Sequence, residues 1–337
     1  MKKATLFVTP FYFQNHIFDI LSSSNRDNCL VPFALLKKEM ELRGFDLATQ
    51  DINPVSSSEI VIYLDVPDHL PDFRESQKSF LLIFESEIIK ANNWDLKNHQ
   101  SFKKIFTWND SLVDNKKYFK LNVSVVFPEK IYWDVDKKKN FCCVIAGNKQ
   151  VNHELELYSK RLEAIKWFEE NHPELFDLYG VGWNEVSFRG RSMLERYSLT
   201  RPVTKFIDYF THRYKCYKGR VSNKFEVLSQ YKFSICYENA RDIPGYITEK
   251  IFDCFAAGCI PVYWGANNIT DHIPAECFID KRNFSSYEEL FSFLSNLSLE
   301  QCADYIQAMN SYVKSSQSHK FSASWFARTI VTEILQH

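Results

Sequence analysis

An α/β fold with two doubly wound domains is the class that this sequence predicts, on three observations. Short apolar runs rich in β-branched and aromatic residues alternate with stretches in which apolar residues recur at helical spacing. This alternation is typical of buried parallel strands joined by helices. The 337 residues suffice for two domains of roughly 150 residues each. A lysine-rich segment, residues 133–140 (WDVDKKKN), interrupts the apolar pattern and is interpreted as an interdomain linker.

The first half of the chain predicts one doubly wound domain over residues 1–136. Its strand-like runs are ATLFVT, EIVIYLD, SFLLIFE, KIFTWN and VSVVFP. Between the first two runs, LVPFALLKKEMELRG has helical spacing and ends at Gly44, a residue suited to a helix C-terminus.

The second half predicts a similar domain over residues 141–320. Strand-like runs occur in FCCVIAG, DLYGVG, KFSIC and IPVYWG. Helical patterns occur near residues 157–170, 223–229, 248–258 and 287–313. Residues 321–337 contain a further helical pattern, which could pack back on the N-terminal domain.

Charge and composition exclude some functions. A formal net charge of −1 gives no electrostatic footprint for nucleic acid, which usually requires a clearly basic domain. The nine cysteines are scattered, lack C-x-x-C or zinc-type spacing and mostly lie in apolar runs, so we predict reduced thiols in a cytoplasmic protein. The start MKKATLFVTPFYF is interpreted as a strand, since Pro10 interrupts it and no cleavage site follows. A peripheral membrane contact and the oligomeric state stay open.

The segment from Tyr231 to Gly265 carries the strongest chemical signal. An apolar strand-like run ends at Cys236 and opens into a polar loop, after which Thr248 stands where a helix would begin. Ligands bind to α/β sheets where a strand's carboxyl end leads into a helix N-terminus, and that terminus favours anions. Lys250 in the first helical turn therefore indicates a nearby phosphate, although the same pattern also fits solvated first-turn side chains.

This segment resembles the C-terminal signature of the α-1,3/4-fucosyltransferases of glycosyltransferase family 10. That signature runs Y-K-F, then [FY]-E-N, Y-[IV]-T-E-K and P-V-x-x-G. Here it reads Tyr231-Lys232-Phe233, Tyr237-Glu238-Asn239, Tyr246-Ile247-Thr248-Glu249-Lys250 and Pro261-Val262-Tyr263-Trp264-Gly265. The resemblance is specific over residues 222–297, where the chain looks like bacterial members, and weaker elsewhere.

The resemblance implies a GT-B architecture, in which two Rossmann-like domains face each other across a cleft. It also implies GDP-L-fucose as the donor and inversion at the anomeric carbon. On the matching positions, Asn239, Tyr246, Glu249 and Lys250 would contact the GDP-sugar. Arg161 falls where similar proteins have a phosphate-binding arginine, and its alternative is an exposed charge on an amphipathic helix.

An inverting transfer also needs a carboxylate that accepts the proton of the attacking acceptor hydroxyl. The segment SFLLIFESE resembles the family's F/L-E-S-P region, so Glu85 would be this base, with Glu87 as the fallback and a surface loop as the alternative. The family's proline is replaced by Glu87. We place Glu87 and Trp108 in the acceptor site, although Trp108 fits a core position equally well.

No metal or cofactor is expected. Asp134 and Asp136 form a D-x-D, the metal motif of many other glycosyltransferases, but within a lysine-rich linker, so we interpret them as surface charge. Arg161, Lys250 and the helix start would stabilise the leaving GDP instead.

The predicted partners are a GDP-sugar donor and an oligosaccharide acceptor. By analogy, the first guess for the acceptor is a LacNAc-like end of a bacterial lipopolysaccharide. The alternatives are a relative that uses another GDP-deoxysugar or acceptor, and a non-catalytic nucleotide- or glycan-binding protein. A sulfotransferase is disfavoured because no phosphate loop follows the first strand.

Overall fold

Two parallel sheets form the framework of the computed structural model, which describes residues 1–76, 78–183 and 214–336. The first sheet has the strand order β2-β1-β3-β4-β5-β6, with every pair parallel. Its strands are β1 (Lys2–Phe7), β2 (Phe45–Thr49), β3 (Ile60–Leu64), β4 (Ser79–Ile83), β5 (Lys104–Thr107) and β6 (Tyr118–Lys120).

The second sheet has the order β12-β11-β10-β7-β8-β9 in the described residues, again with every pair parallel. Counted within this sheet, the order is 3-2-1-4-5-6, that of dinucleotide-binding folds. The strands are β7 (Asn140–Ile145), β8 (Phe176–Tyr179), β9 (Tyr217–Gly219), β10 (Tyr231–Tyr237), β11 (Ile260–Trp264) and β12 (Ile279–Asp280).

Helices cover the sheets because their apolar stripes need a partner surface. In the described part of the chain they are α1 (Val31–Glu41), α2 (Phe73–Ser76), α3 (Tyr158–Asn171), α4 (Lys224–Leu228), α5 (Glu249–Ala256), α6 (Tyr287–Asn296), α7 (Leu299–Val313), α8 (Ser316–His319) and α9 (Ala323–Leu335). The capping box formed by Ser298 and Gln301 separates α6 from α7.

The last helix, α9, lies against the first sheet rather than the second. Phe326, Ile330 and Ile334 are buried in the core that also contains Leu6 and Phe33. The Phe326 ring centroid lies 5.6 Å from that of Phe33, edge to face. The chain therefore returns to the N-terminal domain after it has completed the second sheet.

One predicted strand is wrong. Residues 123–128 (VSVVFP) form no strand beyond an isolated bridge from Val125 to Ser322. The Val125 amide donates to the carbonyl of Phe321, so this segment pairs with the approach to α9. The sixth strand of the first sheet is instead Tyr118–Lys120.

The linker is more ordered than its charge suggested. Lys138 is buried and donates to the carbonyl oxygens of Ala257, at 2.9 Å, and of Leu228.

Eight of the nine cysteines are buried as free thiols, and Cys29 is exposed. No helix within the described residues is both long and apolar enough to cross a membrane.

Candidate functional site

A cavity of about 370 Å³ opens where the order of the second sheet reverses, at the carboxyl ends of β7 and β10. Adjacent strands at this point send their connections in opposite directions, which leaves a crevice for a ligand. Gly147 and Lys149 after β7, Gly180 after β8, and Asn239 after β10 line the cavity. Gly180 has φ +134°, and a Cβ there would lie 1.8 Å from a backbone oxygen, so only glycine fits this wall.

Arg161 of α3 is buried beneath the loop that follows β10. Its Nη2 donates to the carbonyl oxygens of Tyr237 at 2.7 Å and Glu238 at 2.6 Å, and to Oδ1 of Asn239 at 2.9 Å. Its Nε also donates to Tyr237 O. The guanidinium lies 5.0 Å from the ring centroid of Tyr158. Arg161 is therefore not an exposed helix charge; it fixes the loop that carries Asn239 and places a buried cation beside the cavity.

Glu238 is fully buried and organises the start of α5. Its carboxylate accepts hydrogen bonds from the Thr248 amide and hydroxyl, both at 2.7 Å, and from Lys250 Nζ at 3.2 Å. Thr248 stands at the N-cap but does not cap the helix with its side chain, because its hydroxyl serves Glu238. A Cβ on Gly265 would lie 2.6 Å from Cγ of Glu238, so this glycine leaves room for the carboxylate.

Lys250 is a further cation in the wall of the cavity. Its Nζ also donates to the Thr248 hydroxyl at 2.8 Å and lies 3.7 Å from the Glu249 carboxylate. Burial lowers the pKa of Lys250, but the carboxylates of Glu238 and Glu249 more than offset this and hold it above its ordinary value. Lys250 therefore stays charged at any working pH and can balance an anion.

Lys224, Glu249 and Asp253 form an ion-pair cluster on the same cavity. Nζ of Lys224 lies 2.7 Å from Oδ2 of Asp253 and 3.9 Å from Oε1 of Glu249. It also lies 3.5 Å from Oδ2 of Asp27, in the loop after β1 of the other domain. Burial raises the pKa of Asp253 to about 7, against the opposing effect of Lys224.

Glu85 follows β4 at the facing edge of the first sheet. Its amide donates to Oδ1 of Asp65, at 3.2 Å. Its carbonyl accepts from Nε1 of Trp94 at 3.0 Å and from the Asn93 side chain at 3.2 Å. Both backbone groups of Glu85 are thus held, while its side chain is exposed at the cleft.

The Glu85 carboxyl lies in an environment suited to a base. The surrounding protein partly desolvates this carboxyl and raises its pKa above the ordinary value, and Asp65 raises it further, whereas Lys149 and Lys250 lower it. Lys149 and Lys250 line the cavity, so Glu85 lies within electrostatic reach of the site across the cleft. Glu87, two residues on, is exposed.

Trp108 packs against aromatic rings of both domains. Its ring lies 4.6 Å from that of Tyr246 and 4.8 Å from that of Trp94, and its Nε1 donates to Phe84 O at 2.9 Å. Trp108 and Tyr246 are 1% and 3% exposed. Neither ring offers an open face for a sugar in this structure, so the acceptor contact expected of Trp108 lacks an accessible surface. Trp108 instead fixes the strand end before Glu85.

Gly245 lies at the same domain contact, with φ +78°. A Cβ there would lie 2.3 Å from the carbonyl oxygen of Trp108. We expect Gly245→Ala to destabilise the protein by about 1–2 kcal/mol for the left-handed backbone and by a further amount for the clash, measured by urea unfolding. Gly44→Ala is the control, since Gly44 has φ +85° and no atom within 4 Å of the added Cβ. Equal losses in the two variants would contradict a tight domain contact.

No group of three or more His, Cys, Asp or Glu side chains in the described residues is arranged to hold a metal ion. The side chain of Asp134 is 45% exposed and pairs with Lys137.

Several residues of the site were not assigned a role from the sequence. They are the positioning residues Asp65, Asn93, Trp94 and Glu238, and the cavity residues Lys149, Lys224 and Asp253. Glu238 stood within the recognised signature, but only the folded loop shows what its carboxylate binds. Lys224 and Asp253 are 29 residues apart in sequence, and no local pattern links them.

Residues 184–329 match the family model described as glycosyltransferase family 10 (fucosyltransferase), C-terminal. An α-(1,3)-fucosyltransferase of Helicobacter pylori is 38% identical over 77 residues, 23% of this chain and 16% of that protein. An α-(1,4)-fucosyltransferase of Arabidopsis thaliana is 37% identical over 70 residues, 21% of this chain and 17% of that protein. A human GDP-fucose protein O-fucosyltransferase 3 is 38% identical over 74 residues, 22% of this chain and 15% of that protein. The aligned segments thus span about a sixth of these relatives.

The whole chain resembles solved structures in fold. A crystal structure of an α1,3-fucosyltransferase with GDP-fucose aligns with a TM-score of 0.54 at 14% identity, covering 99% of this chain and 90% of that one. A crystal structure of an α1,3-fucosyltransferase with GDP aligns with a TM-score of 0.55 at 14% identity, covering 99% of this chain and 91% of that one. At this identity the likeness concerns the fold alone, and it confirms the predicted GT-B architecture.

Proposed function

We propose that this chain transfers L-fucose from GDP-β-L-fucose to a hydroxyl of a GlcNAc-containing acceptor glycan, because residues 184–329 match the family model of the glycosyltransferase family 10 fucosyltransferases. The proposed reaction inverts the anomeric carbon and forms an α-1,3 linkage. One observation carries the proposal: a cavity at the strand-order reversal of the second sheet, lined by Lys149, Arg161 and Lys250, lies across the cleft from Glu85.

The cavity supports the donor half of this proposal. Lys149 and Lys250, together with the buried Arg161 and the uncapped amides at the start of α5, would balance the charge of a diphosphate. Glu249 would accept hydrogen bonds from ribose hydroxyls. Because these cations and amides can stabilise departing GDP, we propose that the transfer needs no metal ion, which activity in excess chelator would test.

Glu85 supplies the acceptor half. Its carboxylate would take the proton of the acceptor hydroxyl, whose oxygen bonds to C1 of fucose as the bond from C1 to the phosphate oxygen breaks. The proton ends on Glu85 and the electron pair on GDP. The hydrogen bonds from Asn93 and Trp94 to the Glu85 backbone would hold the carboxylate in place for this step.

The acceptor is the less constrained part of the proposal. The relatives named above include an α-(1,4)-fucosyltransferase and a protein O-fucosyltransferase, so the linkage and acceptor class could differ here. We retain a LacNAc-like end of a surface polysaccharide or lipopolysaccharide as the proposed acceptor. We also propose a cytoplasmic location, which the eight buried free thiols support.

A transfer assay with linkage analysis tests the proposal. The donors are GDP-fucose and other GDP-deoxysugars, and the acceptors are free LacNAc, β-galactosides, GlcNAc glycosides and a Ser/Thr peptide. We expect transfer from GDP-fucose to O3 of GlcNAc. Transfer from another GDP-deoxysugar would change the donor, and binding of GDP without transfer to any acceptor would support a non-catalytic binding protein.

The raised pKa of Glu85 predicts the acid side of the pH profile. The base acts only as a carboxylate, so kcat/KM should fall as the pH decreases through its raised pKa. We therefore expect this fall above the ordinary glutamate range of about 4.3. A kcat/KM that stays level down to that ordinary value would argue against Glu85 as the base.

A further inference from the structure

The cavity is lined by charges of both signs, with the cation Lys224 beside Glu249 and Asp253. The cations Lys149, Arg161 and Lys250 surround the ends of β7 and β10, whereas the carboxylates of Glu249 and Asp253 lie along one face of α5, at i and i+4. A nucleoside diphosphate has anionic phosphates at one end and N–H and O–H donors on its base and ribose. Phosphates bound by Lys149, Arg161 and Lys250 would place the base towards the pair of Lys224 and Asp253.

The pair of Lys224 and Asp253 presents a defined hydrogen-bonding edge. Nζ of Lys224 and Oδ2 of Asp253 are 2.7 Å apart, and their side chains are 30% and 19% exposed. Both residues line the cavity. One is a donor and the other an acceptor, side by side, and a ligand can reach both.

Guanine carries the matching edge, with O6 as an acceptor beside the N1–H and N2–H donors. We propose that Lys224 and Asp253 select guanine as the base of the donor nucleotide, with Lys224 donating to O6 and Asp253 accepting from N1–H and N2–H. This inference rests on the proposed function for its ligand class, a nucleoside diphosphate sugar. Adenine reverses the pattern, because its amino group would face the Lys224 ammonium and its N1 would face the Asp253 carboxylate.

The neighbouring wall suits the faces of a purine. Val181, Val221 and Leu228 also line the cavity, and apolar side chains pack against the rings of a bound base. Uracil has only an N3–H donor next to its carbonyl oxygens and would leave part of the Asp253 carboxylate without a partner. An acceptor oxygen that loses water without gaining a new donor weakens binding.

The test compares GDP with IDP, which differs only in lacking the N2 amino group, by calorimetry on the full chain. We expect the wild type to bind GDP about tenfold or more tightly than IDP, the value of a hydrogen bond to a charged group. Asp253→Asn should weaken GDP binding by a similar factor and bring the GDP-to-IDP ratio near one. Lys224→Met should weaken both nucleotides alike and keep the ratio, because both carry O6.

Asp280→Asn is the matched control. Asp280 is also ion-paired, at 2.6 Å to Arg282, and its side chain is 16% exposed, but it does not line the cavity. Its variant should keep the wild-type ratio, and thermal melts of all three variants would show that they fold. A wild type that binds GDP without preferring it to IDP, or an unchanged ratio in Asp253→Asn, overturns this inference alone. A wild type that binds no GDP overturns the proposed donor as well.

Discussion

Glu85→Gln should reduce the rate of sugar transfer by about 10²–10⁴-fold, the usual contribution of a general base, while GDP binding stays unchanged. Glutamine has nearly the shape of glutamate but accepts no proton. The hydrogen bonds that the Glu85 backbone forms with Asp65, Asn93 and Trp94 do not depend on the Glu85 side chain, so the cleft should keep its geometry. The measurement is kcat for transfer, with calorimetric GDP affinity as the independent reading.

Glu59→Gln is the matched control for this change. Glu59 is an exposed glutamate just before β3, and its carboxylate pairs with Lys2 at 2.9 Å. It therefore lies at the amino end of the same sheet, away from the cleft, and its variant should transfer normally. A fully active Glu85→Gln enzyme would disprove the assignment, and loss of transfer in Glu87→Gln instead would make Glu87 the base.

Lys250→Met should lower kcat by about 10²–10³-fold, because removing one preorganised donor from a developing anion has an effect of this size. It should also destabilise the free protein, since the buried carboxylate of Glu238 then keeps only Thr248 as a partner. We would measure both kcat and the urea-unfolding midpoint. Lys218→Met removes an ion pair to Asp177 outside the cavity and is the control for the change in kcat.

A double variant separates the two effects of Lys250. Glu238→Gln removes the charge that Lys250 neutralises, and the new amide can still accept from the Thr248 amide and donate to its hydroxyl. The combination Lys250→Met with Glu238→Gln should therefore regain much of the lost stability but none of the lost kcat. If transfer recovered together with stability, Lys250 would be a structural residue only.

Much of the fold could be predicted because buried parallel strands have a strong local pattern. The strands β3 and β4 lie within the predicted runs EIVIYLD and SFLLIFE. The segment VSVVFP is similarly apolar, yet its backbone pairs with the residues just before α9. Apolar content alone does not tell whether a segment joins a sheet or covers its edge, because pairing depends on residues far along the chain.

The site divides in the same way. Asn239, Glu249 and Lys250 were assigned to the site because they stand close together in a recognised signature, and in the structure they line one cavity. Arg161 was expected to contact the phosphate directly. In the structure its four hydrogen bonds go to the loop of residues 237–239, so it also positions that loop. Asp65 and Trp108 act through the backbone of Phe84 and Glu85. Such support is invisible in sequence, because it depends on which loops meet.

The position of helix α9 late in the chain affects how the protein folds during translation. The core of the first sheet includes Phe326, Ile330 and Ile334, yet these residues are synthesised only after the entire second sheet. While translation proceeds, one face of the first sheet therefore lacks part of its cover. The second domain can complete its core earlier, although domains often fold in the order of synthesis. We expect the nascent N-terminal domain to depend on chaperones until α9 has left the ribosome.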